Sequence, residues 1–215
     1  PESSSVLITT GDRFSPPGFD RWNSDPGTVY ADGGTALLLT RGRGFARLLS
    51  IASTSRPELE AMHRGTAPFG TVPFTYRDRV DLGACKDEFI AEAGRSFTLA
   101  QMADGQRQAV KDALARSGTE LADIDWFVLP HLGRRRLSAT FFVPFGIDPE
   151  RSTWRWGRTV GHLGAGDQFS GLTYLVESGA AQPGQRILMA GVGAGFSWTC
   201  AVVEIEDRPP WAVAA

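Results

Sequence analysis

Short apolar runs rich in β-branched residues alternate along this chain with longer segments of helical periodicity, and that alternation restricts it to the α/β class. Val6–Thr10 (VLITT) reads as a buried strand, and Tyr30–Thr35 (YADGGT) as a glycine turn feeding a second strand over Ala36–Thr40. Phe45–Ser53 reads as a third strand and Asp125–Leu129 (DWFVL), halted by Pro130, as a fourth. Arg186–Ala190 (RILMA) and Trp198–Ile205 (WTCAVVEI) flank a glycine turn, Gly191–Gly195. Helices are expected over Asp87–Ala93, Leu99–Arg116, residues 132–143 and Phe169–Ser178, the last closed by Gly179. In the second of these, Leu99, Met102, Val110, Ala113 and Leu114 mark one apolar stripe, and Gly118 fits a C-cap. Residues 11–27 and 65–80 are turn-rich or irregular, and the tail from Asp207 is expected to fray.

The 215 residues suffice for one domain or two small ones with a real core, and a formal net charge of -2 removes any general electrostatic case for nucleic acid. No apolar run approaches a membrane span and no signal peptide opens the sequence, so a cytoplasmic protein with no membrane partner is expected. Two cysteines, Cys85 and Cys200, and three histidines give neither a disulfide framework nor a metal spacing, which fits a reducing compartment. The opening, Pro1-Glu2-Ser3-Ser4-Ser5, has no initiator Met and reads as a fragment, a processed chain or a partly represented protein.

Three stretches concentrate groups capable of chemistry. In Asp125–Arg136 (DWFVLPHLGRRR), His131 follows a strand and a proline at the mouth of a helix, where sites collect in α/β sheets; it suits acid–base work, or it packs locally. In Thr159–Gln168 (TVGHLGAGDQ), His162 and Asp167 sit in a glycine-rich loop ahead of a helix, and Asp167 is equally readable as an N-cap. In Met189–Trp198 (MAGVGAGFSW), the glycines make a tight turn whose amides, Gly193 among them, suit a developing oxyanion. No GxGxxG unit leads into a helix, so a dinucleotide site is rejected. Arg134–Arg136 match a phosphate, or form one solvated face. Cys85 has no visible partner in an irregular region, Cys200 reads as core, and His63 as surface. Trp22, Trp154 and Trp156 line a pocket or fill core.

In this order the stretches resemble the ketoacyl-ACP synthase III branch of the thiolase superfamily. DWFVLPH is similar to the family's D-W-x-V-P-H segment, VGHLGAG to its loop carrying the catalytic asparagine, and PGQRILMAGVGAGFSWTCAVV to its closing hairpin. YADGGTALLL is similar to the family's F-G-D-G-A-G-A-x-V-L strand. The resemblance implies a layered α-β-α thiolase-like fold, with residues 1–95 as the end of the N-terminal half and connecting region, and 96–215 as the C-terminal half. It implies a Cys or Ser nucleophile on a segment preceding Val6, a coenzyme A or phosphopantetheine thioester (acyl-CoA or acyl carrier protein) as substrate, no tightly bound cofactor, and a homodimer. It places His131 at the catalytic histidine, and Gly133 and Arg134 where donor contacts fall, although the family usually has Ala-Asn there.

The asparagine position falls on His162 or, with the loop shifted, near Asp167. A carboxylate would repel the enolate of decarboxylative condensation but would orient His131 and stabilise its protonated form, which favours plain acyl transfer to a hydroxyl, amine or thiol in specialised, polyketide-type biosynthesis. The alternatives are a decarboxylative condensing enzyme with His162 as second donor, and a non-catalytic scaffold half.

Overall fold

The computed structural model describes residues 4–66 and 78–212. β1 (Ser5–Asp12) and β2 (Gly33–Thr40) pair antiparallel from Ser5↔Thr40 to Asp12↔Gly33 and form a ribbon separate from the main sheet. β3 (Ala46–Ser55), β4 (Trp126–Val128), β5 (Arg186–Gly193) and β6 (Ser197–Ile205) make that sheet, in the order β3-β6-β5-β4. β4 runs parallel to β5, while β6 is antiparallel to both β5 and β3. The helices are α1 (Ala61–Arg64), α2 (Leu82–Ala93), α3 (Arg95–Ser117), α4 (Arg134–Leu137), α5 (Val143–Phe145), α6 (Trp154–Val160) and α7 (Asp167–Glu177).

β5 and β6 are apolar at consecutive positions because both of their faces are covered. Leu188, Ala190, Trp198, Cys200 and Val202 point to one side and join Ala109, Val110 and Ala113 of α3 in a core cluster. Ile187, Met189, Val203 and Ile205 point to the other and join Leu172, Leu175 and Val176 of α7. The result is the layered α-β-α arrangement expected from the alternation of elements. Each fully buried aliphatic side chain contributes roughly 1.5–3 kcal/mol, against about 0–1 kcal/mol for an exposed ion pair, so these two clusters hold the layers together.

Local chemistry sets the helix ends. The Asp81 side chain caps α2 by accepting the Ala84 N–H at 2.9 Å, so the helix starts earlier than expected and carries Cys85 buried within it. Gly118 ends α3 in the left-handed region at φ 63°, as its position predicts. The buried face of α3 runs through Thr98, Gly105, Gln106, Ala109, Val110 and Ala113, with Met102 and Leu114 partly covered and Leu99 exposed. The helix expected over 132–143 starts at Arg134, after an extended Gly133, and continues through a widened turn over Ser138–Phe142 into α5.

Other expectations are corrected. Val6–Thr10 is a strand but not a buried one: Val6 is 54% and Leu7 63% exposed, on opposite faces, because β2 is the only strand beside β1 among the described residues. Gly191–Gly193 belong to β5, so the turn is shorter than the glycine run. The tail is packed as far as residue 212: Pro209 is buried and the Trp211 ring meets Phe45 edge-on at 5.7 Å. His63 is half-buried against the Phe196 ring, 4.8 Å away, and burial holds its imidazole below the ordinary value. The irregular region expected over 65–80 lies largely outside the described residues. No helix among the described residues is long and apolar enough to cross a membrane.

Gly171 lets α7 lie against β4: a Cβ there would stand 2.7 Å from Val128 Cγ1. Alanine gains roughly 0.5–1 kcal/mol over glycine inside a helix, whereas overpacking a core costs about 1–3 kcal/mol. Gly171→Ala is therefore expected to lose about 1–2 kcal/mol net, seen as a lower urea midpoint at unchanged slope. A gain in stability would show that α7 is free to move off the sheet.

Candidate active site

The carboxyl end of β4 delivers the histidine. Pro130 removes a ladder donor and stops the strand, and the next residue, His131, gives its backbone N–H to Asp167 Oδ2 at 2.7 Å. Its ring Nδ1 lies 2.9 Å from the Gly161 carbonyl oxygen and 3.3 Å from Asp167 Oδ1. A carbonyl only accepts, so Nδ1 carries the hydrogen, and in the neutral ring Nε2 is the bare nitrogen. Nε2 is buried and has no hydrogen-bond partner among the described residues. The side chain is 1% exposed, covered in part by the Trp156 ring, which meets it edge-on at 5.1 Å and stacks on Tyr174 at 4.8 Å.

Asp167 opens α7 and is fully buried. Its carboxylate does not cap its own helix. Oδ1 accepts the Leu163 N–H at 2.7 Å, and Oδ2 takes the His131 N–H and faces His162 Nδ1 at 2.5 Å. The N-terminal end of α7 adds favourable dipole to the negative charge. His162 is held by backbone bonds on both sides, its N–H to the Val29 carbonyl (2.8 Å) and its carbonyl from the Ala31 N–H (2.9 Å). Its side chain is 18% exposed, which makes it the member of the group nearest solvent.

A second layer, unseen in the sequence, supports this cluster. The Tyr30 ring packs edge-on against His162 at 5.0 Å, and its hydroxyl donates to Asp25 Oδ2 at 3.1 Å. Arg136 grips both Asp25 oxygens (2.7 and 2.8 Å) and also donates to Thr28 Oγ1 and the Pro26 carbonyl. Burial opposes the charge on Asp25 most strongly, yet the hydrogen bonds and charge of Arg136, then Thr28 and Tyr30, hold its carboxyl below the usual range. Burial, then the Asp25 charge, push the Tyr30 hydroxyl up, so it remains a donor. Arg136 lies in the helix that follows His131, so the chain of contacts closes on itself.

The other candidates separate from this cluster. The Gly133 N–H is committed to the Gly27 carbonyl at 3.0 Å, and a Cβ there would stand 2.3 Å from that oxygen, so close packing explains this glycine. Arg134 and Arg135 are exposed, while Arg136 is bound to Asp25. Gly193 is exposed at the end of β5, and no hydrogen bond or ring contact links it to His131, His162 or Asp167. Cys200 is in the core, where burial pushes its thiol up to about 12, and Cys85 is buried in α2. Trp22 is exposed, Trp154 is partly buried with Arg158 over its ring, and Trp156 covers His131. Among the described residues no group of three or more His, Cys, Asp or Glu is arranged to hold a metal ion.

A layered α/β chain with a histidine just past β4 and its partner carboxylate at the start of a packed helix has known counterparts. Residues 114–205 match the family model for the C-terminal part of 3-oxoacyl-[acyl-carrier-protein] synthase III. Over those residues the chain is similar to ketoacyl-ACP synthase III proteins. It is similar to the acyltransferase ChlB3, with 36% identity and a TM-score of 0.87 over 96% of this chain and 60% of that one. It is 28% identical over 205 residues to β-ketoacyl-[acyl-carrier-protein] synthase III of Thermosynechococcus vestitus, covering 92% of this chain and 58% of that protein. The corresponding synthase of Pseudomonas aeruginosa shares the fold, with a TM-score of 0.69 and 20% identity over 96% of this chain and 60% of that one. The chain thus spans about three fifths of the length of these relatives.

The Asp25–Arg136 pair should govern stability on the acid side. Asp25 is held below its unfolded value, near 3.9, so its contribution is present above that pH and is lost as pH falls through the lower folded value. Arg136→Met is expected to cost about 2 kcal/mol at neutral pH, and the deficit to shrink below about pH 4 in urea denaturation. A deficit independent of pH would show that Arg136 acts through packing alone.

Proposed function

We propose that these residues form the histidine–aspartate part of an acyltransferase site. An acyl group passes from a CoA or acyl-carrier-protein thioester to a Cys or Ser outside the described residues, and from there to an acceptor hydroxyl, amine or thiol. The observation that carries the reading is the state of His131: Nδ1–H held between the Gly161 carbonyl and Asp167, with a bare, buried Nε2. That nitrogen takes the acceptor's proton as the acceptor attacks the acyl-enzyme carbonyl. The bond from the acceptor to the carbonyl carbon forms, the bond to the nucleophile breaks, and the proton passes to the departing sulfur or oxygen. Asp167, beside Nδ1, stabilises the intervening imidazolium.

Transfer is favoured over decarboxylative condensation by the position of His162. Its Nδ1 faces the Asp167 carboxylate, so its hydrogen is committed there, and a neutral His162 then offers a bare Nε2 rather than a donor to an enolate. The likeness to an acyltransferase at 36% identity supports the same reading. A scaffold has no use for a buried imidazole nitrogen without a partner, which costs about 1–3 kcal/mol. The specialised, polyketide-type setting, the homodimer and the donor-side place of Arg134 belong to this proposal through the family resemblance.

In the complete enzyme, His131→Ala is expected to leave acyl-enzyme formation visible by intact mass and to slow transfer to the acceptor at least about 10³-fold; Asp167→Asn should slow it roughly 10²–10⁴-fold. Unimpaired transfer by His131→Ala would end the assignment. Carbon dioxide release from a malonyl thioester would favour the condensing alternative.

A further inference from the structure

Asp12 ends β1, outside the imidazole–carboxylate cluster, yet its side chain reaches the turn that leads into α7. Its Oδ2 accepts the Ala165 N–H at 2.8 Å. The turn is shaped for this approach: Gly164 adopts φ +64°, and a Cβ there would lie 2.2 Å from Asp12 Oδ2. Neighbouring ribbon residues close on the same turn. Gly33, the register partner of Asp12, abuts Leu163, and the Thr10–Thr35 hydroxyl pair (2.6 Å apart) adjoins Gly166. Leu163, gripped in this way, supplies the N–H that fixes Asp167 Oδ1. A shift of the turn therefore moves a donor that orients the carboxylate.

We propose that Asp12 is a positioning residue for acyl transfer: by anchoring Ala165 it fixes the turn that aims Asp167 at His131. The proposal rests on the His131–Asp167 reading above. Loss of an outer partner of this kind typically costs about 10–100-fold in activity, and displacement of a reacting group by roughly 1 Å can cost about 10²-fold. Asparagine keeps an accepting oxygen at the same reach, whereas leucine fills the space without accepting.

The test compares Asp12→Leu and Asp12→Asn in the complete enzyme, reading amide hydrogen exchange at Ala165 together with acceptor kcat and KM. Asp12→Leu is expected to speed exchange at Ala165 and lower kcat about 10–100-fold with KM changed less than about threefold, and Asp12→Asn to recover most of both. Should Asp12→Leu fail to fold, Gly164→Ala, which forces the carboxylate away from Ala165 from the other side, must give the same fall in kcat. Faster exchange with kcat at the parent level, while His131→Ala is inactive, would overturn the positioning role and leave the dyad standing. Full transfer by His131→Ala would instead remove the dyad, and this proposal with it.

Discussion

The Asp167 carboxylate is the point on which the rest depends. Burying an ionised carboxylate costs several kcal/mol unless donors surround it. Here they come from two backbone amides, His131 and Leu163, and from the His162 imidazole, with the His131 ring nitrogen 3.3 Å away. The donors belong to segments distant in sequence: the loop that follows β4 and the turn that joins α6 to α7. One charge thus ties a strand end to a helix start, and removing it would leave at least two buried N–H groups unpaired, at about 1–3 kcal/mol each.

The layered core explains why this convergence is stable. α7 is packed on the sheet through Leu172, Leu175 and Val176, and Gly171 brings it close to Val128 of β4. The carboxylate therefore inherits its position from aliphatic packing rather than from surface charges. The loop carrying Tyr30 and Asp25 is locked between His162 and Arg136, so the cluster has a second support besides the sheet. The β1–β2 ribbon leaves Val6, Leu7, Ile8 and Leu38 exposed.

Much of the architecture was legible because apolar runs and helical stripes are local signals. β5 and β6 carry apolar residues on both faces, and the structure covers both. Whether a strand is covered is not a local property, so the exposure of the ribbon does not show in its sequence. Leu99 falls outside the buried face of α3, which runs through Thr98 and Gly105 instead. α6, a seven-residue WRWGRTV helix, is too short to show a period. His131 and Asp167 stood out by their places after a strand and before a helix. Asp25 and Asp12 did not, since their partners lie 111 and 153 residues away and neither belongs to a motif.

Imidazole nitrogen NMR of the ¹⁵N-histidine-labelled protein tests the central claim most directly. With Nδ1 held by the Gly161 carbonyl and Asp167, neutral His131 is predicted to show a protonated Nδ1 and a bare Nε2, with the Nδ1 proton protected from exchange. A neutral ring carrying its hydrogen on Nε2 would contradict the account, because the nitrogen assigned to take the acceptor's proton would already hold one.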